Sequence, residues 1–497
     1  MAQLEDRPFP PGDYPVVVIG SGAGGIQTSY FLNRRGVAHA LLSADTAPAG
    51  MFQRFPFFQR LISWTKPHAP VDRGTRAYER YDWNSLIGEE PEHRTLLPAL
   101  MDGTSYFPSR AEMERGIALF VERTGLKIRY GCRWEGTRKD DDGFVVVTSD
   151  GEYRCRAVVF AMGMTKPWKP DIPGLENVPH YVDTRSPQEY TNKKIVIIGK
   201  RNSGFEIADG LLPWARQILL VSPRPARISV VTHSLAGARA RYLQPYEDYI
   251  LGGGTFVLDA ALDHVERNDD GYRVFASGTS RPGDIVLDAD EVIAATGFST
   301  PLLDLPELGV ATFYSGRLPA QTPFWESASL PGIYFAGSVS QGSIGLKKYG
   351  KTGNSAAVHG FRYNAGVLAT HLARERFGKN LERPELRPEQ VVSFLLDEAT
   401  EGPELYNQPS FLARVVSFDG GIFDEGILPL AHFVDSEGPN AVAIAVETDD
   451  QGDTHPAVYV RRGPKVDEHL LSSEPMLDFR TAEHKNQLTG VLQSFLS

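Results

Sequence analysis

Two glycine-rich turns carry the residues with the clearest chemical meaning. The first is Gly20-Ser-Gly-Ala-Gly-Gly25, in which Gly20, Gly22 and Gly25 have the spacing G-x-G-x-x-G. In such a turn the first glycine permits the tight bend, the second lets the backbone approach a pyrophosphate, and the third allows close helix–strand packing. The helix that follows the turn would offer amides and a positive dipole end to the phosphates. This turn therefore predicts a dinucleotide site.

The second turn departs from the pattern, because Arg201 replaces the middle glycine. A side chain there blocks the backbone approach unless the guanidinium itself contacts the pyrophosphate. The next strand ends in a hydroxyl and an arginine without an acid, which suits the 2′-phosphate of NADPH better than the bare ribose of NADH. The predicted NADPH contacts are Gly199, Arg201, Asn202, Ser203, Gly204, Ser222 and Arg224. The alternative is a degenerate Rossmann domain kept for packing.

Each turn connects a strand to a helix, and a second strand follows that helix. The first set is Pro15–Ile19, Ile26–Arg35 and His39–Ser43, and the second is Lys194–Ile198, Phe205–Leu212 and Gln217–Val221. This order is typical of a dinucleotide-binding βαβ unit. The two units lie about 180 residues apart and nothing shorter repeats, so we predict two nucleotide-binding domains rather than a repeat array. Asp45 is the carboxylate nearest the end of the second strand of the first set. It either binds the ribose of the dinucleotide or is a solvated loop residue.

The spacing of apolar residues and the positions of Pro and Gly predict further elements. The Pro-rich stretch Lys166–Gly174 predicts a stiff linker, and a long amphipathic helix is predicted from about Ser355 to Arg376. In the tail, Ala441–Val446 and Ala457–Val460 predict a hairpin, and Thr481–Leu496 predicts a helix. The chain therefore combines two α/β units with a distinct tail.

The composition narrows the function classes. The chain has 497 residues, with 51 Lys and Arg against 62 Asp and Glu, giving a net charge of -11. Such acidity argues against nucleic acid or an anionic membrane as the main partner. Cys132 and Cys155 are not the closely spaced pair of a dithiol centre or a zinc ribbon, so we predict no metal site. The polar N-terminus lacks the apolar core of a secretory signal, and we expect a cytoplasmic protein.

Several motifs resemble the flavin-containing monooxygenase superfamily over roughly residues 14–376. They are the two glycine turns, the linker Lys166–Gly174, Ala295-Thr-Gly-Phe298, and Gly337 after Gly332-Ile-Tyr-Phe-Ala. More specific segments resemble FoxRed-type FAD-dependent oxidoreductases and their bacterial relatives: Leu61–Lys66, Tyr81–Leu86, Tyr106–Pro108 and His359–Tyr363.

The resemblance implies an α/β fold with two Rossmann-like dinucleotide-binding domains. An FAD-binding domain (residues 1–190 and 293–378) would be interrupted by an NADPH-binding domain (191–292), with a C-terminal α+β extension at 379–497. The implied activity is that of a single-component monooxygenase. NADPH reduces FAD, O2 adds at the flavin C4a, and the hydroperoxide gives one oxygen atom to a heteroatom of a small molecule, amine N first and S next. The alternatives are an NAD(P)H-dependent oxidoreductase that passes electrons to an acceptor, and a non-catalytic flavin-bound scaffold. The sequence leaves open whether the protein forms a homo-oligomer.

The resemblance also suggests residues around the flavin. The asparagine that many members carry in Thr-Asn-x-x-Lys is missing at Trp64-Thr-Lys66, so Lys66 and Asn84 are the catalytic candidates. As alternatives, Lys66 is a surface lysine and Asn84 caps a helix at Ser85. The other predicted cofactor contacts are Gly20, Gly22, Ala23, Gly25, Asp45, Met51, Phe52, Trp64, Gly163, Thr296, Gly297, Gly337, Lys347 and Lys348.

Three further features bear on that site. The lysines of Gly342–Gly353 could stabilise the anionic reduced flavin, or could belong to a solvated loop. The aromatic residues between Phe52 and Trp64, with Trp83, could form a wall for the flavin or ordinary core. The superfamily's signature histidine has no counterpart, since Asp183 occupies roughly its place and His180 falls three residues early.

Overall fold

The computed structural model describes residues 7–232, 235, 237–302 and 308–496. The chain divides into two compact units. The first comprises Met1–Gln53, Ser63–Met164 and Thr300–Ser497, and the second comprises Arg54–Ile62 and Thr165–Ser299. Both contain a Rossmann-like sheet, which confirms the predicted α/β class.

Strands are numbered in chain order. They are β1 Gly12–Ile19, β2 His39–Leu42, β3 Trp134–Asp140, β4 Gly143–Thr148, β5 Gly151–Phe160, β6 Lys166–Pro167, β7 Lys194–Ile198, β8 Gln217–Ser222, β9 Thr255–Asn268, β10 Gly271–Gly278, β11 Asp284–Ala289, β12 Glu291–Ala294, β13 Phe298–Ser299, β14 Thr312–Phe313, β15 Leu318–Pro319, β16 Ile333–Phe335, β17 Leu412–Phe418, β18 Ile422–Pro429, β19 Ala441–Thr448, β20 Thr454–Arg462 and β21 Lys465–Leu470.

Helices are numbered in the same way. They are α1 Ala23–Arg34, α2 Arg110–Thr124, α3 Asn202–Leu211, α4 Ser229–Thr232, α5 Gln244–Leu251, α6 Val358–His371, α7 Pro388–Glu401, α8 Pro403–Asn407, α9 Leu430–Asp435 and α10 Ala482–Leu496.

The sheet of the first unit has the order β2-β1-β5-β4-β3, and β16 also pairs with β5. Strands β1, β2, β5 and β16 are parallel, whereas β3 and β4 extend the sheet as an antiparallel hairpin. Val16, Val17 and Val18 of β1 are fully buried, as expected for a parallel strand covered on both faces. Helix α1 packs against α6. The loops after β1 and β16 therefore share one edge of the sheet.

The sheet of the second unit has the order β11-β10-β9-β8-β7-β12. Strands β12, β7, β8 and β9 are parallel, and β10 and β11 continue the sheet as an antiparallel meander. The β7–α3–β8 order confirms the second predicted βαβ unit, with α3 starting at Asn202 rather than Phe205.

The tail forms an antiparallel sheet of order β18-β17-β19-β20-β21. Helices α7 and α10 pack on it through a buried cluster that includes Val391, Leu395, Leu488 and Leu492. The predicted hairpin is confirmed as β19 and β20, and the predicted final helix is confirmed with its start at Ala482.

The long helix predicted from Ser355 starts later than expected. Helix α6 begins at Val358 and ends at His371, and a π-helical turn, Leu372–Arg376, completes the predicted length. The preceding residues are held elsewhere, because the Asn354 N–H donates to Gln408 Oε1 at 2.6 Å. A tertiary contact therefore shortens the helix.

Candidate functional site

The first glycine turn is built from close backbone contacts. Gly20 has φ +114°, and a Cβ on Gly25 would lie 1.8 Å from the Gly20 carbonyl oxygen. Gly22 caps α1 with φ −72°, and a Cβ there would meet no atom within 4 Å. Open space at Gly22, beside the unpaired first amides of α1, fits a pyrophosphate. Ala23 is buried as the first residue of α1.

Two further glycines complete this turn, and neither belongs to the G-x-G-x-x-G spacing. A Cβ on Gly24 would lie 2.3 Å from Cα of Gly337, which has φ +71°, and a Cβ on Gly50 would lie 2.9 Å from Cα of Gly22. The predicted contact Gly337 thus touches the start of α1 directly. The only signal that Gly24 and Gly50 leave in the sequence is the glycine itself, since the partners are distant along the chain.

The end of β2 carries the hydroxyl of Ser43 where a dinucleotide-binding unit often carries an acid. Ser43 Oγ lies 2.7 Å from Ser21 Oγ, and the Asp45 N–H donates to Ser43 Oγ at 3.1 Å. The Asp45 side chain is half-buried beside Tyr130, whose pKa is raised to about 12 by burial and by the Asp45 charge. Asp45 therefore lies close to the turn, and its role toward a ribose stays a prediction.

Met51 and Phe52 lie in the 3₁₀ turn Gly50–Gln53, directly beside this glycine cluster, and both are half-buried. Gly163 follows β5 with φ +69°. The neighbouring Met164 N–H donates to Ser338 Oγ at 3.2 Å, which ties the ends of β5 and β16 together. These predicted contacts thus gather at one edge of the first sheet.

Asn84 holds a loop together from inside. Its Nδ2 donates to the carbonyl oxygens of Ser63 and Trp64 and to Thr65 Oγ1, each at 3.1 Å. Its Oδ1 accepts from Ser63 Oγ at 2.7 Å. In the described segment 81–90 no helix begins at Ser85, so the helix-cap alternative is wrong. The geometry makes Asn84 a positioning residue, and its catalytic role stays a prediction.

The same loop presents a stack of rings. The Trp64 and Trp83 ring centroids lie 3.7 Å apart, and the Trp83 and His359 centroids 4.3 Å apart at 22°. Below the stack, buried Arg362 donates to the Ser85 carbonyl oxygen at 2.7 Å. By contrast, Phe55, Phe57 and Phe58 pack on the core of the second unit, which is the ordinary-core alternative for these three.

Lys66 is exposed, and its backbone pairs with Tyr81 through a 3.0 Å hydrogen bond. Its Nζ lies 5.8 Å from the centroid of the Tyr81 ring. The ammonium group of Lys66 is therefore accessible. This agrees with a surface lysine and equally with a lysine that contacts a bound cofactor.

The lysine-rich loop before α6 does not present its charges freely. Lys348 Nζ forms ion pairs with Glu447 and Glu468 and donates to Tyr459 Oη at 2.8 Å. Burial opposes this charge, but the two carboxylates outweigh it and raise the pKa of Lys348. The Lys348 charge is thus held by the tail sheet. Lys347 is exposed at φ +52°, and its flavin contact stays a prediction.

The second glycine turn repeats the geometry of the first. A Cβ on Gly199, at φ +129°, would lie 2.4 Å from the Ala295 carbonyl oxygen, and a Cβ on Gly204 would lie 2.2 Å from the Gly199 carbonyl oxygen. Arg201 caps α3 and its side chain is exposed. Asn202 Oδ1 accepts from the Arg239 N–H at 2.9 Å, and Ser203 is half-buried behind it.

Sequence reasoning missed how this turn is anchored. Lys200 is buried, pairs with Asp259, and donates from Nζ to the Leu258 carbonyl oxygen at 2.8 Å. Burial lowers the pKa of Lys200 although Asp259 opposes that effect. No local signal could have found the pair, because its members are far apart in the chain.

The loop after β8 places the predicted 2′-phosphate residues at the surface. Ser222 is half-buried and Arg224 is exposed. Thr279 Oγ1 donates to the Pro223 carbonyl oxygen at 2.6 Å, so the β10–β11 connection supports this loop.

Thr296 and Gly297 follow β12 in the second unit. Thr296 Oγ1 donates to the Trp168 carbonyl oxygen, and the Trp168 N–H donates to the Gly297 carbonyl oxygen at 3.1 Å. His180 Nε2 lies 3.0 Å from that same oxygen, and burial lowers the pKa of His180. Asp183 accepts from the His180 N–H at 2.9 Å. His180 and Asp183, the two residues near the signature-histidine position, therefore hydrogen-bond to each other and join this turn to Gly297.

Three comparisons bear on this arrangement. A family model described as "Pyridine nucleotide-disulphide oxidoreductase" matches residues 17–337, more than half of the chain. The chain belongs to this family. FAD and NAD(P)H are the cofactors that the family and the two glycine turns imply.

Relatives extend the match. "FAD-dependent oxidoreductase domain-containing protein 2" of Mus musculus is 25% identical over 433 residues, which cover 80% of this chain. The aligned part is 64% of the mouse protein's length. "Flavin-containing monooxygenase FMO GS-OX3" of Arabidopsis thaliana is 22% identical over 66% of this chain and 70% of its own length. These relatives confirm the resemblance to the flavin-containing monooxygenase superfamily.

A solved structure supports the fold. A flavin-containing monooxygenase from Stenotrophomonas maltophilia has a TM-score of 0.53 at 20% identity, covering 73% of this chain and 98% of its own. No described helix is long and apolar enough to cross a bilayer. Nor do the described residues include a group of three or more His, Cys, Asp or Glu side chains suited to a metal ion.

Proposed function

We propose that the protein is an NADPH-dependent flavin monooxygenase that transfers one atom of O2 to a heteroatom of a small molecule, an amine nitrogen first and sulfur next. FAD supplies the oxygen-transfer chemistry when it is bound. The residues proposed to hold it are those around Gly20–Gly25, Gly50 and Gly337, where close backbone packing shapes the turn and Gly22 leaves open space for a pyrophosphate. NADPH is proposed at Gly199–Gly204 with Arg224.

One observation favours a diffusible molecule, rather than a pair of protein thiols, as the acceptor of electrons from the reduced flavin. Cys132 and Cys155 are both buried and unpaired, and burial raises the pKa of each thiol. A protonated, buried thiol is neither a nucleophile nor an accessible electron carrier. The name of the Arabidopsis relative, a monooxygenase, favours oxygen as that acceptor.

The proposed roles at the site differ for the two catalytic candidates. Asn84 would fix the loop that carries Trp64, and Lys66 would contact a bound cofactor directly. Asn84→Ala should therefore raise unproductive peroxide release while keeping FAD content. Lys66→Met should mainly change the Michaelis constant for NADPH or the flavin spectrum.

The deciding experiment is ¹⁸O2 labelling with NADPH and a panel of amines and thioethers, read by mass spectrometry. Incorporation of one labelled oxygen atom per NADPH consumed would support the proposal. Dye reduction by NADPH without label in any product would identify an electron-transfer enzyme instead. A protein that binds FAD but leaves NADPH unconsumed would be a flavin-bound scaffold.

A further inference from the structure

A large cavity lies in the first unit, in the part built by α1, α6 and the tail. Its volume is 650 Å³, within the range of small-molecule sites. Phe31 of α1, Val367 of α6 and Ile427 of β18 supply apolar wall. None of the glycines at the first turn lines it, so it is separate from the proposed FAD site.

Charged side chains line the rest of this cavity. Most form close pairs with one another. Arg34 binds Glu89 at 2.9 Å, Arg76 binds Glu404 at 2.5 Å, and Arg414 forms an ion pair with Asp424. These pairs have little capacity left for a ligand.

Two arginines in the wall are different. Arg94 and Arg374 lie 3.9 Å from their nearest carboxylates, Glu79 and Glu425, which is beyond hydrogen-bond distance. Arg94 donates to the Gly88 and Glu89 carbonyl oxygens from Nε and one terminal nitrogen. The Arg374 guanidinium makes no hydrogen bond with any residue that the structure describes. Each therefore has N–H donors to offer an anion.

Glu79 adds a titratable group to the lining. It is 4% exposed, and its Oε2 accepts from Tyr363 Oη at 3.1 Å. Burial raises the pKa of Glu79 to about 7, the charge of Glu404 adds to this rise, and Arg362, Arg76 and Arg94 oppose it. Near neutral pH this carboxyl can therefore take up a proton and become a donor.

We propose that this cavity binds a small organic carboxylate, with the carboxylate held by Arg94 and Arg374 and the apolar body against Phe31, Val367 and Ile427. Guanidinium donors outside hydrogen-bond distance of a carboxylate and apolar side chains in the same lining define the class. A bare inorganic anion would leave the apolar wall uncovered, and a neutral molecule would leave both guanidinium groups unmatched.

Binding should be coupled to a proton. An anion beside Glu79 disfavours a second negative charge, so its carboxyl takes up a proton when the ligand binds. The affinity should then fall as the pH rises above 7, because the deprotonated carboxylate repels the ligand.

The test is isothermal titration calorimetry on the full-length protein with hexanoate, hexanol and inorganic phosphate as probes. Hexanoate should bind with a dissociation constant of about 1 mM or tighter. Hexanol and phosphate should each bind at least about tenfold more weakly. The heat of hexanoate binding should depend on the ionisation enthalpy of the buffer, which reports proton uptake.

Variants separate this site from general effects. Arg94→Gln and Arg374→Gln should each weaken hexanoate binding about tenfold or more. Arg115→Gln, an exposed arginine of α2 outside the cavity, is the matched control and should bind as the parent does. Glu79→Gln should keep the binding and abolish its buffer dependence.

The proposal is overturned by hexanoate producing no heat, by hexanol or phosphate binding equally well, or by both arginine variants behaving like Arg115→Gln. Should Arg94→Gln fail to fold by circular dichroism, Arg374→Gln alone decides, since that residue lies nearer the surface. No outcome involves NADPH turnover, so the result is independent of the proposed function.

Discussion

Gly22 and Gly25 lie three residues apart in one turn, yet they serve different purposes. Space around Gly22 is open, whereas Gly25 lies against the Gly20 carbonyl oxygen. A methyl group at Gly22 would therefore intrude on a ligand, and one at Gly25 would intrude on the fold. Substitution at these two positions separates binding from stability.

Gly22→Ala should leave the apoprotein's free energy of unfolding within about 0.5 kcal/mol of the parent. It should nevertheless purify without FAD, because the Cβ occupies the approach of the pyrophosphate. Gly25→Ala should lose about 3 kcal/mol of stability through overpacking. Flavin absorbance and urea titration check both. Equal loss of stability in the two variants would contradict this division.

Arg224 belongs to the same scale. The 2′-phosphate distinguishes NADPH from NADH, and an exposed arginine after β8 can bind it by charge-assisted hydrogen bonds. Arg224→Ala should raise the Michaelis constant for NADPH about tenfold and that for NADH less than about twofold. Arg273→Ala, which removes a surface arginine paired with Asp288 at 3.0 Å, is the control and should change neither. Equal rises for both nucleotides would refute the assignment.

At the scale of elements, the loop before α6 and the tail sheet stabilise each other. Lys348 joins them by charge, and its partner Glu447 is 0% exposed. Lys348→Met would leave a buried carboxylate whose remaining hydrogen bond comes from Tyr459 Oη at 2.6 Å.

We expect Lys348→Met to lower the free energy of unfolding by about 3 kcal/mol, because an uncompensated buried charge is costly. The double variant Lys348→Met with Glu447→Gln should recover part of that loss. Chemical denaturation measures both, and Lys347→Met, at the exposed neighbour, should match the parent. A Lys348→Met protein as stable as the parent would show that the pair contributes nothing.

The elements also show how far sequence reasoning reaches. Both βαβ units and the final helix α10 follow from local patterns. The glycine turns are predictable because the steric requirement is local. The fate of Lys348 is not, since its partner lies 99 positions away in the chain. The Lys200–Asp259 pair escapes sequence reasoning for the same reason.

At the scale of the whole molecule, both units contain a buried glutamate whose carboxyl favours the protonated form. Burial raises the pKa of Glu79 in the first unit and of Glu206 in the second to about 7. In the unfolded chain such a group titrates near 4.3. The folded protein therefore binds more protons between these values, and its stability must fall as the pH rises through this window.

From pH 5 to pH 8, each carboxyl should lower the free energy of unfolding by about 2 kcal/mol. Glu206→Gln should remove the pH dependence that Glu206 contributes. The variant should keep the local hydrogen bond, because the amide oxygen of the introduced glutamine can accept from Tyr181 Oη as Glu206 Oε2 does in the parent at 2.9 Å. Thermal unfolding at the two pH values measures the difference. Glu122→Gln, at an exposed position, should keep the parent's slope, and an unchanged slope in Glu206→Gln would disprove the account.

One aromatic ring of the tail has a consequence for descent. A Cβ on Gly345 would lie 2.7 Å, and one on Gly353 2.6 Å, from atoms of the Phe411 side chain. A single benzyl group thus fills the gaps left at both positions. A lineage that enlarges Gly353 must therefore also move or shrink this ring, whereas Gly345 is constrained by its φ of +62° as well.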